Sequence, residues 1–180
     1  MYKKKILFVF FAVMLFSIIT PAFAYEVLGY RWKNNTVIWY YDNYISWQAK
    51  NALASGASSW NEANADASLK FTAASYNVYC SDVEQTEVEW DGMTNGYGDS
   101  NTGYFVSLTL YLNSASKAWD SAKALGSVAG HEFGHVFGLG ENGHTMTLMN
   151  AYTWGYNSRY ETYSITKPTN DDIRGVNDLY

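Results

Sequence analysis

The segment Gly130–Glu141 constrains this chain most, because it contains the five-residue pattern His-Glu-x-x-His. On a helix, His131 and His135 project from the same face, so their imidazoles can bind one metal ion. Glu132 points about 60° away from His135 around the helix axis. It can therefore reach a water molecule at that metal without being a ligand. Two imidazole nitrogens and a carboxylate base on one helical turn predict a zinc hydrolase.

The surrounding residues strengthen this interpretation. All three histidines of the chain lie between His131 and His144. Gly138 follows the second histidine by three residues, where a glycine can adopt a positive φ and turn the chain back under the metal. Histidines that are buried only for packing are the less favoured interpretation.

The run H-E-F-G-H-V-F-G-L-G-E, followed by T-L-M-N, resembles the metzincin signature and its Met-turn in the form that matrixin-type proteases use. Weaker similarity extends to Trp60-Asn61 and to residues 110–113 and 171–176. The resemblance implies an α+β fold, with a twisted, mostly parallel sheet that has an antiparallel edge strand. The sheet would pack on the zinc-binding helix, and a C-terminal helix would follow. Met149 falls at the Met-turn position and would form an apolar floor beneath the metal.

The identity of the third zinc ligand stays open between two residues. The signature places its last ligand at Glu141, where metzincins usually have a histidine, and the distance to Met149 favours this register. His144 lies three residues later and is the more usual type of zinc ligand. We favour Glu141 and keep His144 as the alternative.

The resemblance implies a zinc-dependent endopeptidase with one catalytic Zn²⁺, which hydrolyses peptide bonds of extracellular proteins. Glu132 would accept a proton from water as the general base and return it to the leaving amine. The alternative is a catalytically inactive, metzincin-like secreted binding protein. Such a protein would typically lose Glu132 or a histidine, and this chain retains them.

Residues 1–24 are typical of a secretory signal peptide. Three lysines precede an apolar run from Ile6 to Ile19, and small residues at the A-x-A positions end at Ala24. The run is too short for a comfortable membrane span, so we expect no stable membrane anchor. The mature protein, residues 25–180, would be a single secreted metalloprotease domain.

Charge narrows the range of partners. Removal of Lys3, Lys4 and Lys5 with the signal leaves 9 basic and 17 acidic residues, a formal net charge of −8. This charge argues against nucleic-acid binding. We expect a protein or peptide substrate and a monomeric enzyme. The single cysteine, Cys80, cannot form an internal disulfide, and we expect it to be structural.

Hydrophobic periodicity predicts most of the elements. Strands are predicted at 36–41, 69–73, 76–80, 86–90 and 104–113, and helices at 47–64, 124–137 and 170–179. By the resemblance, strand 104–113 would lie at the sheet edge and bind the substrate backbone through Val106, Leu108 and Leu110.

We also make predictions about ligand binding for two further segments. The loop predicted at 91–101 is rich in glycine and oxygen-bearing side chains, so either a Ca²⁺ site or a plain surface loop is possible. The resemblance implies that the segment after Met149 lines the S1′ pocket. Tyr152 and Trp154 are therefore substrate-binding candidates, with ordinary packing as the alternative.

Overall fold

A computed structural model describes residues 25–143 and 146–180 of the chain. The predicted signal peptide and His144 lie outside these residues. In chain order the elements are β1 (Thr36–Tyr40), α1 (Trp47–Glu62), β2 (Ser68–Phe71), β3 (Val78–Val83), β4 (Gly92–Asp99), β5 (Tyr104–Asn113), a 3₁₀ turn (Lys117–Asp120), α2 (Ala122–Phe137) and α3 (Asn170–Leu179).

The five strands form one sheet in the order β2-β1-β3-β5-β4. The pairs β1–β2, β1–β3 and β3–β5 are parallel, whereas β4 is antiparallel to β5 at the edge. The predicted α+β fold, with a mostly parallel sheet and an antiparallel edge strand, is confirmed. None of the described helices is long and apolar enough to cross a membrane.

Helix α1 forms because its small and apolar residues recur every three or four positions, and its buried face packs on α2. Ser46 is the N-cap, and its side chain accepts a hydrogen bond from the backbone N–H of Ala49. The Trp60 indole N–H donates to the backbone carbonyl of Gly130 at 2.8 Å. This contact fixes α1 against the turn of α2 that carries the histidines.

The core lies between the sheet and these two helices. Alternate residues of β5, Leu108, Leu110 and Leu112, are buried against it. Phe133 and Phe137 of α2 are fully buried and close the core from the helix side.

Three predictions about the sheet are wrong. Strand β5 pairs with β3 over residues 108–113 on one side and with β4 on the other, so it is not the edge strand. Residues 91–101, predicted as a loop, contain the whole of β4, which is the edge strand beside the histidine helix. Residues 86–90 form no strand.

The three substrate-binding candidates on β5 therefore lie in an interior strand. Leu108 and Leu110 are buried in the core, whereas Val106 is exposed on the strand. Their side chains are not arranged along one free edge. The backbone edge adjacent to the site belongs to β4.

Candidate metal centre

Helix α2 positions the His-Glu-x-x-His pattern. Ser121 caps its N-terminus by accepting a hydrogen bond from the N–H of Ala124. The helix ends at Gly138, which has φ 103°, and its N–H donates to the carbonyls of Gly134 and His135. A side chain at Gly138 would also meet the backbone oxygen of Tyr30 at 2.3 Å, so this turn requires glycine.

His131 and His135 face each other across one turn, with their Nε2 atoms 3.1 Å apart. Each Nδ1 lies 2.9 Å from a backbone carbonyl, that of Leu148 for His131 and that of Leu139 for His135. A carbonyl can only accept, so each Nδ1 carries the proton and each Nε2 presents its lone pair. Burial, with the Arg159 cation as a second cause, lowers the pKa of His131 well below its ordinary value. His131 is therefore neutral, which is the ligand form.

Glu141 is the third member of the cluster. Its Oε1 lies 3.9 Å from the Nε2 atoms of both His131 and His135. The turn that carries it is held by the N-terminal segment, because Leu28 N–H donates to Gly138 O and Gly140 N–H donates to Glu26 O. His144 lies outside the described residues and stays the alternative ligand.

The three side chains fit a zinc ion. Their ligand atoms all lie within 4.8 Å of one another. In the described part of the chain, the cluster of His, Cys, Asp or Glu side chains that could hold a metal consists of these three residues. Two ligands about 2.1 Å from a tetrahedral zinc lie roughly 3.4 Å apart, close to the observed separation of the two imidazole nitrogens. The predicted calcium segment 91–101 forms no such group.

Glu132 lies beside the histidines and is only 4 % exposed. Its Oε2 accepts a hydrogen bond from the Thr94 hydroxyl at 2.8 Å, which fixes the carboxylate against β4. Burial raises the pKa of the Glu132 carboxyl, partly opposed by His135 and by the Thr94 hydrogen bond. Gly92 leaves room for this side chain, since a Cβ there would lie 2.9 Å from the Glu132 carboxylate.

Met149 lies beneath the histidines and is fully buried. Its sulfur occupies the space of a side chain at Gly134, where a Cβ would come within 2.2 Å of it. Asp172 of α3 anchors this turn, because its carboxylate accepts hydrogen bonds from the N–H groups of Leu148 at 2.9 Å and Met149 at 3.1 Å. The apolar floor implied for Met149 is consistent with this placement.

A cavity of about 260 Å³ opens next to the histidine cluster. Both aromatic candidates after the Met-turn line it, Tyr152 at half exposure and Trp154 partly buried. Its other walls include Trp90, Glu132 and Arg159. A larger groove of about 900 Å³ lies along α1, with none of the predicted site residues in its lining.

Sequence analysis missed three residues that shape the centre: Thr94, Arg159 and Asp172. Each lies in a segment distant from the His-Glu-x-x-His pattern, so no local spacing marks it. Asp172 carries a partial signal, because Thr169 and Asp172 form the capping box of α3.

Comparison with known families agrees with this geometry. The model of the matrixin family, peptidase M10, matches residues 31–180. The curated proteins include no significant match to the chain. The family match covers β1 to α3 and includes the metal cluster, the Met-turn and Asp172. The chain therefore belongs to the matrixin family of zinc metallopeptidases.

Proposed function

We propose that this chain is a secreted endopeptidase that hydrolyses extracellular proteins, with His131, His135 and Glu141 as zinc ligands and Glu132 as the general base. The observation that carries the proposal is the buried Glu132 carboxylate, which Thr94 fixes beside two imidazoles. The Nε2 atoms of these imidazoles lie close enough to bind the same metal ion. A bound zinc supplies Lewis-acid chemistry, which polarises a carbonyl and acidifies a water molecule.

Residues of the chain carry out the proton transfers and orient the catalytic carboxylate. Glu132 accepts a proton from the attacking water at its carboxylate and later donates that proton to the leaving amine. Its raised pKa suits both steps, because burial makes the carboxylate hold the proton more readily between the two transfers. Thr94 orients the carboxylate and excludes other rotamers.

The edge strand β4 is the proposed platform for the substrate. In the described residues β5 pairs with one side of β4, and its other side is unpaired. An extended peptide can add to such an edge through backbone hydrogen bonds. The side chain that follows the scissile bond would then enter the cavity beside Glu132, the S1′ pocket implied by the resemblance, between Trp90 and Trp154.

The test is Glu132→Gln in zinc-loaded protein. The variant should keep the metal, because the ligands are intact, and lose about 10²- to 10⁴-fold in kcat/KM on a casein or gelatin digest. Glu87→Gln makes the same change at an exposed loop position and should leave turnover unchanged. Full activity in Glu132→Gln would overturn the mechanism. A zinc-loaded wild type without any peptidase activity would instead support the inactive binding protein.

We further propose that the protein is exported and that its signal peptide is removed. Cleavage after Ala24 would begin the mature chain at Tyr25, whose hydroxyl donates to the Asp178 carboxylate. Amino-terminal sequencing of protein recovered outside the producing cells should read Tyr25 first. A mature protein that keeps residues 1–24, or stays inside the cell, would contradict it.

A further inference from the structure

Arg159 is a buried cation in the loop that follows the Met-turn, with only 2 % of its surface exposed. Its Nη1 donates to the backbone carbonyls of Asn150 at 2.8 Å and Ala151 at 3.2 Å. Its Nε is buried, and no residue of the described chain accepts a hydrogen bond from it. The side chain is therefore partly used to hold the loop and partly unsatisfied.

Arg159 also lacks an ionic partner. Across residues 25–143 and 146–180, no carboxylate lies within ion-pair distance of it. Burial lowers the pKa of Arg159 to about 10, so the side chain still carries its charge at neutral pH. Buried charges in proteins are normally paired, because an uncompensated one is strongly unfavourable.

The nearest negative groups already have other roles. Glu132 accepts from Thr94, Asp91 accepts from the Trp154 indole N–H at 3.3 Å, and Glu141 lies at the histidine nitrogens. All three act on Arg159 through space without contacting it. None of them provides the missing partner.

The cavity brings Arg159 within reach of a ligand, because Arg159, Glu132 and His131 line the same space of about 260 Å³. Glu89, Asp91 and Glu141 also line it, with the opposite charge. Glu89 is exposed to solvent, which weakens its field, whereas Arg159 acts in a low-dielectric interior. A group that enters the cavity fully therefore meets a buried cation that has no ion-pair partner among the described residues.

From these observations we infer that Arg159 makes the cavity selective for a carboxylate that flanks the scissile bond. The carboxylate comes from an Asp or Glu side chain or from the end of the peptide chain. It supplies the ionic and hydrogen-bond partner that the guanidinium lacks among the described residues. The inference rests on the proposed peptidase function and adds its substrate class.

The first test uses peptides that differ only in the residue after the scissile bond, with Glu, Gln or Lys at that position. A charge-assisted hydrogen bond should raise kcat/KM for Glu about 10- to 100-fold over the isosteric Gln. Lys should be the poorest of the three. Equal rates for Glu and Gln, or a preference for Lys, would overturn the inference, the latter because Glu89 and Asp91 would then set selectivity.

Two further peptides distinguish the sources of the carboxylate. Both end with a neutral residue directly after the scissile bond, one as the free acid and one as the amide. A preference for the free acid that matches or exceeds the Glu effect assigns the cavity to chain termini. A preference confined to internal Glu assigns it to side chains.

The variant Arg159→Gln should bring the Glu-to-Gln ratio of kcat/KM close to one, and Arg159→Lys should restore part of it. The ratio within each variant is the readout, so a general loss of activity does not affect the conclusion. Arg174→Gln, an identical substitution at an exposed position of α3, should leave the ratio unchanged. An unchanged ratio in a folded Arg159→Gln would contradict the assignment, and the wild-type peptide series decides if this variant does not fold.

A binding measurement separates this inference from the peptidase proposal. Zinc-loaded Glu132→Gln should bind the Glu peptide about 10- to 100-fold more tightly than the Gln peptide, detected by the fluorescence of Trp90 and Trp154 in the cavity wall. Failure of all cleavage with this preference intact overturns only the peptidase function. Cleavage without the preference overturns only the role of Arg159.

Discussion

Glu141 is the proposed ligand whose side chain is the most exposed. Its side chain is 56 % exposed, whereas the His131 side chain is 3 % exposed. Loss of a residue that only supports a ligand typically weakens metal affinity about 10- to 100-fold, and loss of a ligand should weaken it at least as much. We therefore expect Glu141→Ala to lower zinc affinity far more than His144→Ala, measured by competition with a chelator at fixed pH.

The conservative change Glu141→Asp is the matched control for this experiment. It keeps the carboxylate, shortens the reach by one methylene, and should retain part of the affinity. If His144→Ala proves the more damaging substitution, the centre is His131, His135 and His144.

Cys80 is fully buried in β3. Burial strongly raises the pKa of its thiol, and the thiolate is the reactive form. We expect the folded protein to be inert to a thiol reagent at pH 8 and to react with one equivalent after denaturation. Rapid labelling of the native protein would show that β3 opens, or that the thiol has a function outside the core.

At the residue scale, the site residues that could be predicted from the sequence are those that lie close together along the chain. His131, Glu132, His135 and Glu141 lie within eleven residues, and a single helix with its following turn brings them together. Thr94 reaches Glu132 only because β4 pairs with β5, and that register depends on the whole sheet. No sequence pattern around Thr94 encodes that pairing.

The close contact between α1 and α2 gives a prediction at the level of elements. A Cβ at Gly56 would lie 2.7 Å from the backbone nitrogen of Gly130 and 2.8 Å from the backbone carbon of Ala129. Backbone atoms cannot move aside cheaply, so overpacking should destabilise Gly56→Ala by about 1–3 kcal/mol. Urea denaturation measures this change.

Gly126→Ala is the matched control, since it makes the same change inside α2. A Cβ at Gly126 would meet the Ser55 side chain at 3.4 Å, an ordinary contact. This variant should be neutral, or more stable by up to about 1 kcal/mol through helix propensity. A stabilised Gly56→Ala would show that the helices are not held so closely.

Helix α3 acts on the metal centre through Asp172. Its carboxylate accepts from Leu148 N–H, Met149 N–H, Thr169 N–H and the Thr169 hydroxyl. Asp172→Ala leaves buried donors without a partner at about 1–3 kcal/mol each. We expect a large loss in free energy of unfolding, together with weaker zinc binding, because Leu148 O is the partner of His131 Nδ1.

Asp178→Ala removes a carboxylate from the exposed surface of the same helix. It loses one exposed hydrogen bond, that from the Tyr25 hydroxyl, so stability should fall by no more than about 0.5–1.5 kcal/mol. Equal stability losses in the two variants would mean that Asp172 acts on α3 alone and not on the Met-turn.

Among the elements, β4 is the strand that the hydrophobic pattern did not predict. Its glycines break the alternation that marks a strand, yet the surrounding structure needs them. A side chain at Gly92 would collide with Val128 and Glu132, and one at Gly98 would lie 2.5 Å from the Tyr30 ring. A β-bulge between Tyr97 and Gly98 disturbs the register further. Strand β5, by contrast, keeps strict alternation and was predicted to the residue.

At the scale of the molecule, metal binding should be linked to folding. A ligand that binds only the native state stabilises it by about 4 kcal/mol at a concentration 1,000 times its Kd. We expect a chelator to lower Tm and zinc to restore it, measured by thermal unfolding. Glu132→Gln should show the same zinc-dependent shift, and His135→Ala should show almost none. A Tm that is insensitive to chelator in the wild type would contradict the metal centre.

The ligand turn is held by Glu26 and Leu28 near one end of the described chain, and the Met-turn by Asp172 near the other. A ribosome has made all three proposed ligands once it passes Glu141, but it still has about thirty residues to add before Asp172. At about 5–20 residues per second this takes roughly 2–6 s. In synchronised cell-free translation, proteolysis should begin only after that interval, and earlier activity would argue against it. On this prediction a nascent chain is not yet a protease, and neighbouring polypeptides are spared until its synthesis is almost finished.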